Sequence, residues 1–459
     1  MQAITDLPTD KLQAAGLAHA DIEGWSVSSP SHVESYAAAA DALSAFLRRG
    51  IALEERLPDP GDRADAERIA AEALTATLAA ARVLFLKAHG VELYDDLTGD
   101  RSRLVRLEDL LFAAAERIPG LVPGEEAMTA ERARPLAEKR GYELAQGLVV
   151  QHLLADPGTG RHLVDSMLAP RPEALQLLDG FRETGTVDLG PARVTRQGRA
   201  AVLELCNPRH LNAEDDNTLG PTEIAVDLIL LDPDIEVGVF RGAIVDHPRY
   251  AGDRIFGAGI NLTHLYQGKI DFLFYLVRDL GYVNKLYRGL ITDDTEVEKL
   301  WVAAVEHYAI GGACQLLHVM DHVLAVRGSR LYLPARKEGI IPGASNLRLP
   351  RSVGDRAARQ AILSGREWTA GEPDADLLID EVVEPGEMDS AVDARVDALT
   401  NSGLINAAAN RRALRIGQEP PDLFREYMSI YAREQAYCHL SPALVRNLER
   451  HWNAAERGD

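Results

Sequence analysis

The sequence predicts an α/β unit set between two helical segments, and three observations carry that prediction. Between about residues 184 and 385 short apolar strands alternate with helical runs of crossover length, the mark of mainly parallel strand pairing. From His32 to Glu183 alanine and leucine recur at i, i+3 and i+4 with charges between them, the pattern of helices that pack one face. Acidic residues and a proline mark a junction around Glu372 to Pro385, after which helical periodicity returns. The expected division is residues 1–183, helical; 184–385, α/β; and 386–459, helical.

The first segment holds four helical runs. Asp62 stands ahead of the second and Thr129 ahead of the fourth as N-caps, and Gly90 and Gly120 sit where helices would stop. His89, His152 and His162 are scattered on these amphipathic runs and read as structural. The segment is expected to pack on the α/β unit, to mediate assembly, or to act as a lid that excludes water. From Thr184 the alternation around Gln197-Gly198 reads as a hairpin entering a sheet. A helix at Thr222 to Leu231 and a strand at Glu236 to Gly242 follow. The glycine turn FGAGINL (Phe256 to Leu262) then leads into a helix holding KIDFLFYLVRDL. A second corner at Gly311-Gly312 opens another helix, and DHVLAVRG supplies the next strand.

With 70 acidic against 49 basic residues the formal charge is −21, which argues against nucleic acid as a partner. The 459 residues, 46% of them apolar, suffice for two or three compact units. Cys206, Cys314 and Cys438 form no CxxC or Cys/His spacing, and His318 with His322 gives an HxxxH pair without a third ligand, so no metal site is expected. The N-terminus has no apolar h-region, and no apolar run approaches bilayer length. A cytoplasmic protein with no membrane partner is expected.

Both glycine turns follow a strand and lead into a helix, so their free amides can converge on one small volume. Such a volume suits a developing oxyanion, for which one preorganised donor contributes roughly 3 to 4 kcal/mol.

NPRHLNAEDD, FGAGINL, YAIGGACQLLHVMDHVLA and GIIPGASNLRLPRSVG, in that order across Val187 to Val383, resemble the signature blocks of the crotonase, or enoyl-CoA hydratase/isomerase, superfamily. The resemblance implies a crotonase-like ββα-superhelix core, an acyl-CoA thioester as substrate, and an oxyanion hole made by the amides of Ile260 and Gly312. It also implies a homo-oligomer, a trimer or dimer of trimers, whose C-terminal helices help close the CoA site. Where hydratases of the superfamily carry glutamates this chain has Gln315 and Ala335, which neither take nor give a proton near neutral pH. With the helical extension, this set resembles the superfamily's cofactor-free arylacetyl-CoA dioxygenases of dihydroxyphenylglycine biosynthesis in producers of vancomycin-type glycopeptide antibiotics. That implies conversion of 3,5-dihydroxyphenylacetyl-CoA and O₂ to 3,5-dihydroxyphenylglyoxylate and CoA through an enolate and an α-peroxide, with no metal, flavin or haem. A thioesterase, isomerase or decarboxylase on the same fold is the alternative, and a non-catalytic scaffold a third.

The block positions place Ile260, Leu262, Ala335 and Ile340 as a dry wall for molecular oxygen. Gln315 is placed to orient the thioester or a peroxide. Glu214 and Arg278 are candidates for the ring hydroxyls, since a carboxylate accepts from a phenol and a guanidinium donates to it; Glu214 otherwise belongs to a solvated acidic run, and Arg278 to a pair with Asp279 or Asp271. His247, just before the first turn, is a candidate base or a loop-packing residue. Arg209, Arg254 and Lys337 are candidates for the CoA phosphates.

Overall fold

The computed structural model describes residues 7–30, 35–292, 296–401 and 403–457. It divides into two compact units, the first comprising Met1–Ser166, Tyr266–Leu273 and Met428–Val445, the second Met167–Leu265, Phe274–Tyr427 and Arg446–Asp459. These boundaries differ from 183 and 385. The helix Pro172–Thr184 goes with the second unit, and the C-terminal residues are shared between the two.

The first unit is helical, and the long helix Asp65–Thr98 packs against Tyr36–Glu55 and Glu143–Ala155. Three local expectations are corrected here. The helix runs through Gly90 because Leu93, Tyr94 and Leu97 extend its buried face, and it ends at Gly99 in the left-handed region. Its start is closed by Glu67, whose carboxylate accepts from the Ala64 amide at 2.8 Å, while Asp62 lies in a preceding 3₁₀ turn. Thr129 sits inside the helix Glu125–Arg132 and its hydroxyl donates to the Glu125 carbonyl, so it caps nothing. A fourth correction concerns apolar length. Asp65–Thr98 is long and apolar enough, by length and composition, to cross a membrane, but half of its most apolar stretch is buried within the fold.

The second unit is built on a seven-stranded sheet. Strands β1 (Thr186–Asp188), β2 (Ala192–Gln197) and β3 (Ala200–Leu205) pair antiparallel, with Gly198 at φ +61° turning the expected hairpin. From β3 the sheet continues parallel through β4 (Val237–Gly242), β7 (Leu300–Val305), β9 (His322–Val326) and β12 (Glu381–Val383). A two-stranded ribbon, β5 (Leu290–Ile291) and β6 (Glu296–Val297), precedes β7. A second sheet joins β8 (Tyr308–Ile310), β10 (Arg330–Tyr332) and β11 (Glu367–Thr369). Two consecutive ββα units are thereby laid down: β7 and β8 with the helix Gly312–Leu317, then β9 and β10 with the helix Ala335–Glu338.

The run LWVAAV in β7 is apolar without alternation because both faces are covered. Trp301, Ala303 and Val305 enter the cluster holding Phe240 and Phe256; Leu300, Val302 and Ala304 enter the one that Met388 and Val392 complete. Under the first face, on the helices Asp216–Leu231 and Tyr282–Arg288, Lys285 is fully buried and donates to Glu223 at 2.7 Å and Asp227 at 2.8 Å. Removing one partner of such a buried set leaves uncompensated charge. Lys285→Met is therefore expected to destabilise the protein by about 3–5 kcal/mol, read as a lowered midpoint in chemical denaturation.

Candidate active site

The two glycine corners are in direct contact. The amide of Gly257 donates to the Tyr308 carbonyl and that of Ile310 to the Gly257 carbonyl, each at 3.0 Å, so the FGAG turn is stitched along β8. Gly259 (φ +83°) and Gly311 (φ +53°) both hold conformations that favour glycine. A Cβ on Gly259 would come within 2.9 Å of the Ile310 carbonyl oxygen and 3.3 Å of the Gly312 nitrogen, so the approach itself needs glycine. Among the described residues neither the Ile260 nor the Gly312 amide donates to a partner. Two free N–H groups on touching turns can share one oxygen as acceptor.

One buried ion pair fixes both turns. Glu214 brackets Ile260 through its main chain, donating to the Gly259 carbonyl at 2.6 Å and accepting from the Asn261 amide at 2.7 Å. Its carboxylate accepts from Arg278 Nε at 2.8 Å and Nη2 at 2.9 Å, and from the Tyr282 hydroxyl. Arg278 in turn donates to the Gly312 carbonyl at 2.8 Å, and to Asp279 and the Gln315 amide oxygen, each at 3.1 Å. Burial disfavours charge on Arg278, but Glu214 and its other neighbours outweigh it and raise its pKa well above the usual value. Burial likewise raises Asp279 and Tyr282.

Glu214 is therefore no solvated acid, and its place in an acidic run misleads because the run's backbone turns it inward. Arg278 pairs with Asp279 as one reading of the sequence had it, whereas Asp271 pairs with Arg132 at 3.1 Å.

An inner cavity of about 30 Å³ brings together Ile260, Ala335, Ile340, Gln315, Glu214 and Arg278 beside Gly312. It has room for a few molecules of water size and not for an aromatic ring, so an aryl group enters only if the wall opens. An outer cavity of about 490 Å³ shares Ile260, Pro334 and Glu338 with it. Leu262 and His247 line this outer space and are absent from the inner wall, which separates His247 from the corner where a base was expected to act. Arg209 and Lys337 also line the outer cavity, joined by Arg249, Arg330 and Arg457, which the sequence did not single out because their convergence is tertiary. Arg254 is not there. It is paired with Glu204 and lines a separate cavity with Arg241 and Asp253.

The inner wall is not wholly apolar either. Glu338, three residues after Ala335 on the same turn of helix, presents a buried carboxyl to both cavities. The spacing i, i+3 within PARKEG was the available signal. His318 is half-buried with both ring nitrogens inside and is held neutral, its pKa driven down to about 3 by desolvation and Arg348. No group of three or more His, Cys, Asp or Glu with metal-binding geometry occurs among the described residues.

Residues 195–426 match the enoyl-CoA hydratase/isomerase family model. The chain belongs to that family. This crotonase is 48% identical over 400 residues to a (3,5-dihydroxyphenyl)acetyl-CoA 1,2-dioxygenase of Amycolatopsis orientalis, covering 86% of this chain and 92% of the relative. It is 32% identical to a probable enoyl-CoA hydratase of Rhizobium meliloti over 42% of this chain and 69% of that one. Among solved structures, carnitinyl-CoA hydratase from Mycobacterium avium aligns with a TM-score of 0.49 at 23% identity, covering 58% of this chain and 97% of that one.

In this crotonase a Cβ on Gly312 would overlap Glu214 Oε2 and sit 3.2 Å from Arg278 Nη2. Gly312→Ala is expected to shift the amide and the ion pair together and to lower kcat by about 10²–10³-fold. Steady-state turnover checks this, beside a circular-dichroism spectrum matching the parent.

Proposed function

We propose that the protein is a cofactor-independent dioxygenase that converts 3,5-dihydroxyphenylacetyl-CoA and O₂ into 3,5-dihydroxyphenylglyoxylate and CoA. The observation that carries this reading is the 48% identity to the Amycolatopsis dioxygenase over 400 residues, well beyond the matched family region. The site geometry supports the same chemistry. Gln315 and Ala335 stand where hydratases of the family hold glutamates, so the paired acid and base of water addition are missing.

In this reading the thioester oxygen sits between the amides of Ile260 and Gly312, which stabilise the enolate left when one α-proton departs. With the inner wall opened to admit the ring, its hydroxyls face Glu214 and Arg278, and the Gln315 side-chain amide orients the thioester or the peroxide. The electron-rich enolate passes one electron to O₂ lodged against Ile260, Ala335 and Ile340. Radical recombination forms the C–O bond of an α-peroxide. Its terminal oxygen attacks the thioester carbonyl and expels CoA; the O–O bond then breaks as the second α-proton leaves, giving the 2-oxo acid. Both oxygen atoms enter the product, CoA departs as the thiol, and one further proton is released. No metal, flavin or haem takes part. Arg209 and Lys337, with Arg249 and Arg330, supply positive charge for the CoA phosphates in an otherwise acidic chain. His247 and Arg254 lie outside this scheme. The protein works in the cytoplasm as a homo-oligomer, a trimer or dimer of trimers.

The test is oxygen uptake by purified, exhaustively chelated protein given 3,5-dihydroxyphenylacetyl-CoA, with free thiol and acid product counted alongside. One O₂ per CoA and a glyoxylate product are expected. CoA release with no oxygen uptake and free arylacetate as product would make the protein a thioesterase, and activity restored only by iron would overturn cofactor independence. The double variant Gln315→Glu/Ala335→Glu is expected to lose oxygenation in favour of hydrolysis or protonation, seen as a fall in O₂ consumed per CoA released.

A further inference from the structure

The buried carboxyl of Glu338 has no part in the scheme above. Nearly every other deeply buried acid of the second unit is paired: Glu214 with Arg278, Glu223 and Asp227 with Lys285, Glu298 with Arg411 and Arg415, Glu419 with Arg288, Arg348 and Arg351. Glu338 is 8% exposed and makes no side-chain hydrogen bond or ion pair among the described residues. Leaving a carboxylate buried and unpaired is costly, so the position calls for a reason.

Its placement supplies one. The single helical turn Ala335–Glu338 starts after Pro334 and ends at Gly339 (φ +88°), which fixes Glu338 at the neck shared by the inner and outer cavities. A Cβ built on Gly311 would lie 3.9 Å from Glu338 Oε1, which puts the carboxyl over the corner whose next residue holds the free Gly312 amide. A thioester carbonyl received by that amide has its α-carbon within one bond of the carbonyl carbon. The charged and titratable groups lining the same space are Glu214, Tyr275, Arg278 and Asp279 on the inner side, and on the outer side Tyr332, Arg330 and Lys337 with the arginines 209, 249 and 457, the histidines 210, 247 and 451 and the tyrosines 250 and 308. None of these lowers the carboxyl, and burial alone lifts it to about 7, where a base is half ionised at neutral pH.

We infer that Glu338 is the catalytic base that removes the α-proton of the acyl-CoA, an inference that rests on the oxyanion-hole reading of this site. The α C–H bond breaks, the proton goes to a Glu338 carboxylate oxygen, and the electron pair enters the enolate whose oxygen the Ile260 and Gly312 amides hold. The proton then neutralises the departing CoA thiolate. Glu338 thus acts from one helical turn beyond Ala335, the position where hydratases carry a glutamate.

The experiment is anaerobic exchange of the α-protons of 3,5-dihydroxyphenylacetyl-CoA in D₂O, followed by NMR or mass spectrometry, with the full-length protein and Glu338→Gln. In the parent, the exchange rate should rise with pH, reach half its maximum near 7 and level about one unit above. Glu338→Gln should lose about 10²–10⁴-fold in exchange and in oxygenation, while binding the acyl-CoA within threefold of the parent, and Glu338→Asp should recover part of the rate. Exchange by Glu338→Gln within threefold of the parent, or a parent rate flat from pH 5.5 to 8.5, overturns the assignment without reference to folding of any other variant. A parent that exchanges with this pH profile but takes up no oxygen in air would refute the dioxygenase reading and leave Glu338 in place as the base.

Discussion

The ion pair between Glu214 and Arg278 is the constraint on which the rest of the site depends. Through its backbone Glu214 holds the Gly259-Ile260 turn, and through its carboxylate it holds Arg278, whose other nitrogen reaches the Gly312 carbonyl. Ile260 and Gly312, whose amides have no partner among the described residues, therefore belong to one hydrogen-bonded unit although they are 52 residues apart (Gly312 against Ile260). A pair of this kind contributes little net stability against an apolar replacement, yet breaking it costs about 3–5 kcal/mol. Its value lies in position: it sets the angle of the two donors and cannot relax piecemeal. Tyr282 and Asp279 complete the shell, and burial holds Tyr282 in its neutral, donating form.

Charge is distributed with the same logic at larger scale. A chain of formal charge −21 repels a CoA thioester at long range, but the outer cavity is lined by Arg209, Arg249, Lys337 and Arg457, and by Arg330, which is paired with Glu367. Exposed charges act over about 8–10 Å at physiological ionic strength, so this local patch governs once the ligand is near. Deeper in, Arg278 is consumed by Glu214 and Asp279, and the wall passes from a basic surface to one of apolar side chains and paired polar groups, with the carboxyl of Glu338 between the two cavities. That gradient suits a ligand with a polyanionic tail and a neutral reacting end.

Much of this was legible in the sequence, and what was not has physical causes. The α/β alternation and its mainly parallel pairing followed from apolar runs and crossover helices, because a doubly covered strand such as β7 writes itself as LWVAAV, whereas the strand order is set by tertiary pairing that no local pattern records. The glycine corners were legible because only glycine tolerates the φ of Gly259 and Gly311 at that approach. Helix ends were misplaced at Gly90, Asp62 and Thr129, where tertiary burial of Leu93 and Leu97, or a neighbouring Glu67, decides the boundary. Arg254 lies apart from the other candidate CoA cations because it is drawn to Glu204 on β3, a pairing that only the tertiary fold creates. Glu338 escaped notice since charged residues before a glycine are usually solvated, and nothing local says that this one is buried.

The most direct measurement is a crystal structure with an unreactive 3,5-dihydroxyphenylacetyl-CoA analogue in which the thioester sulfur is replaced by nitrogen. The account predicts the analogue's carbonyl oxygen within about 2.7–3.1 Å of both the Ile260 and Gly312 nitrogens, its ring against Glu214 and Arg278, and its α-carbon facing Glu338. A carbonyl oxygen bound away from these two amides, with the Glu214–Arg278 pair intact, would contradict it.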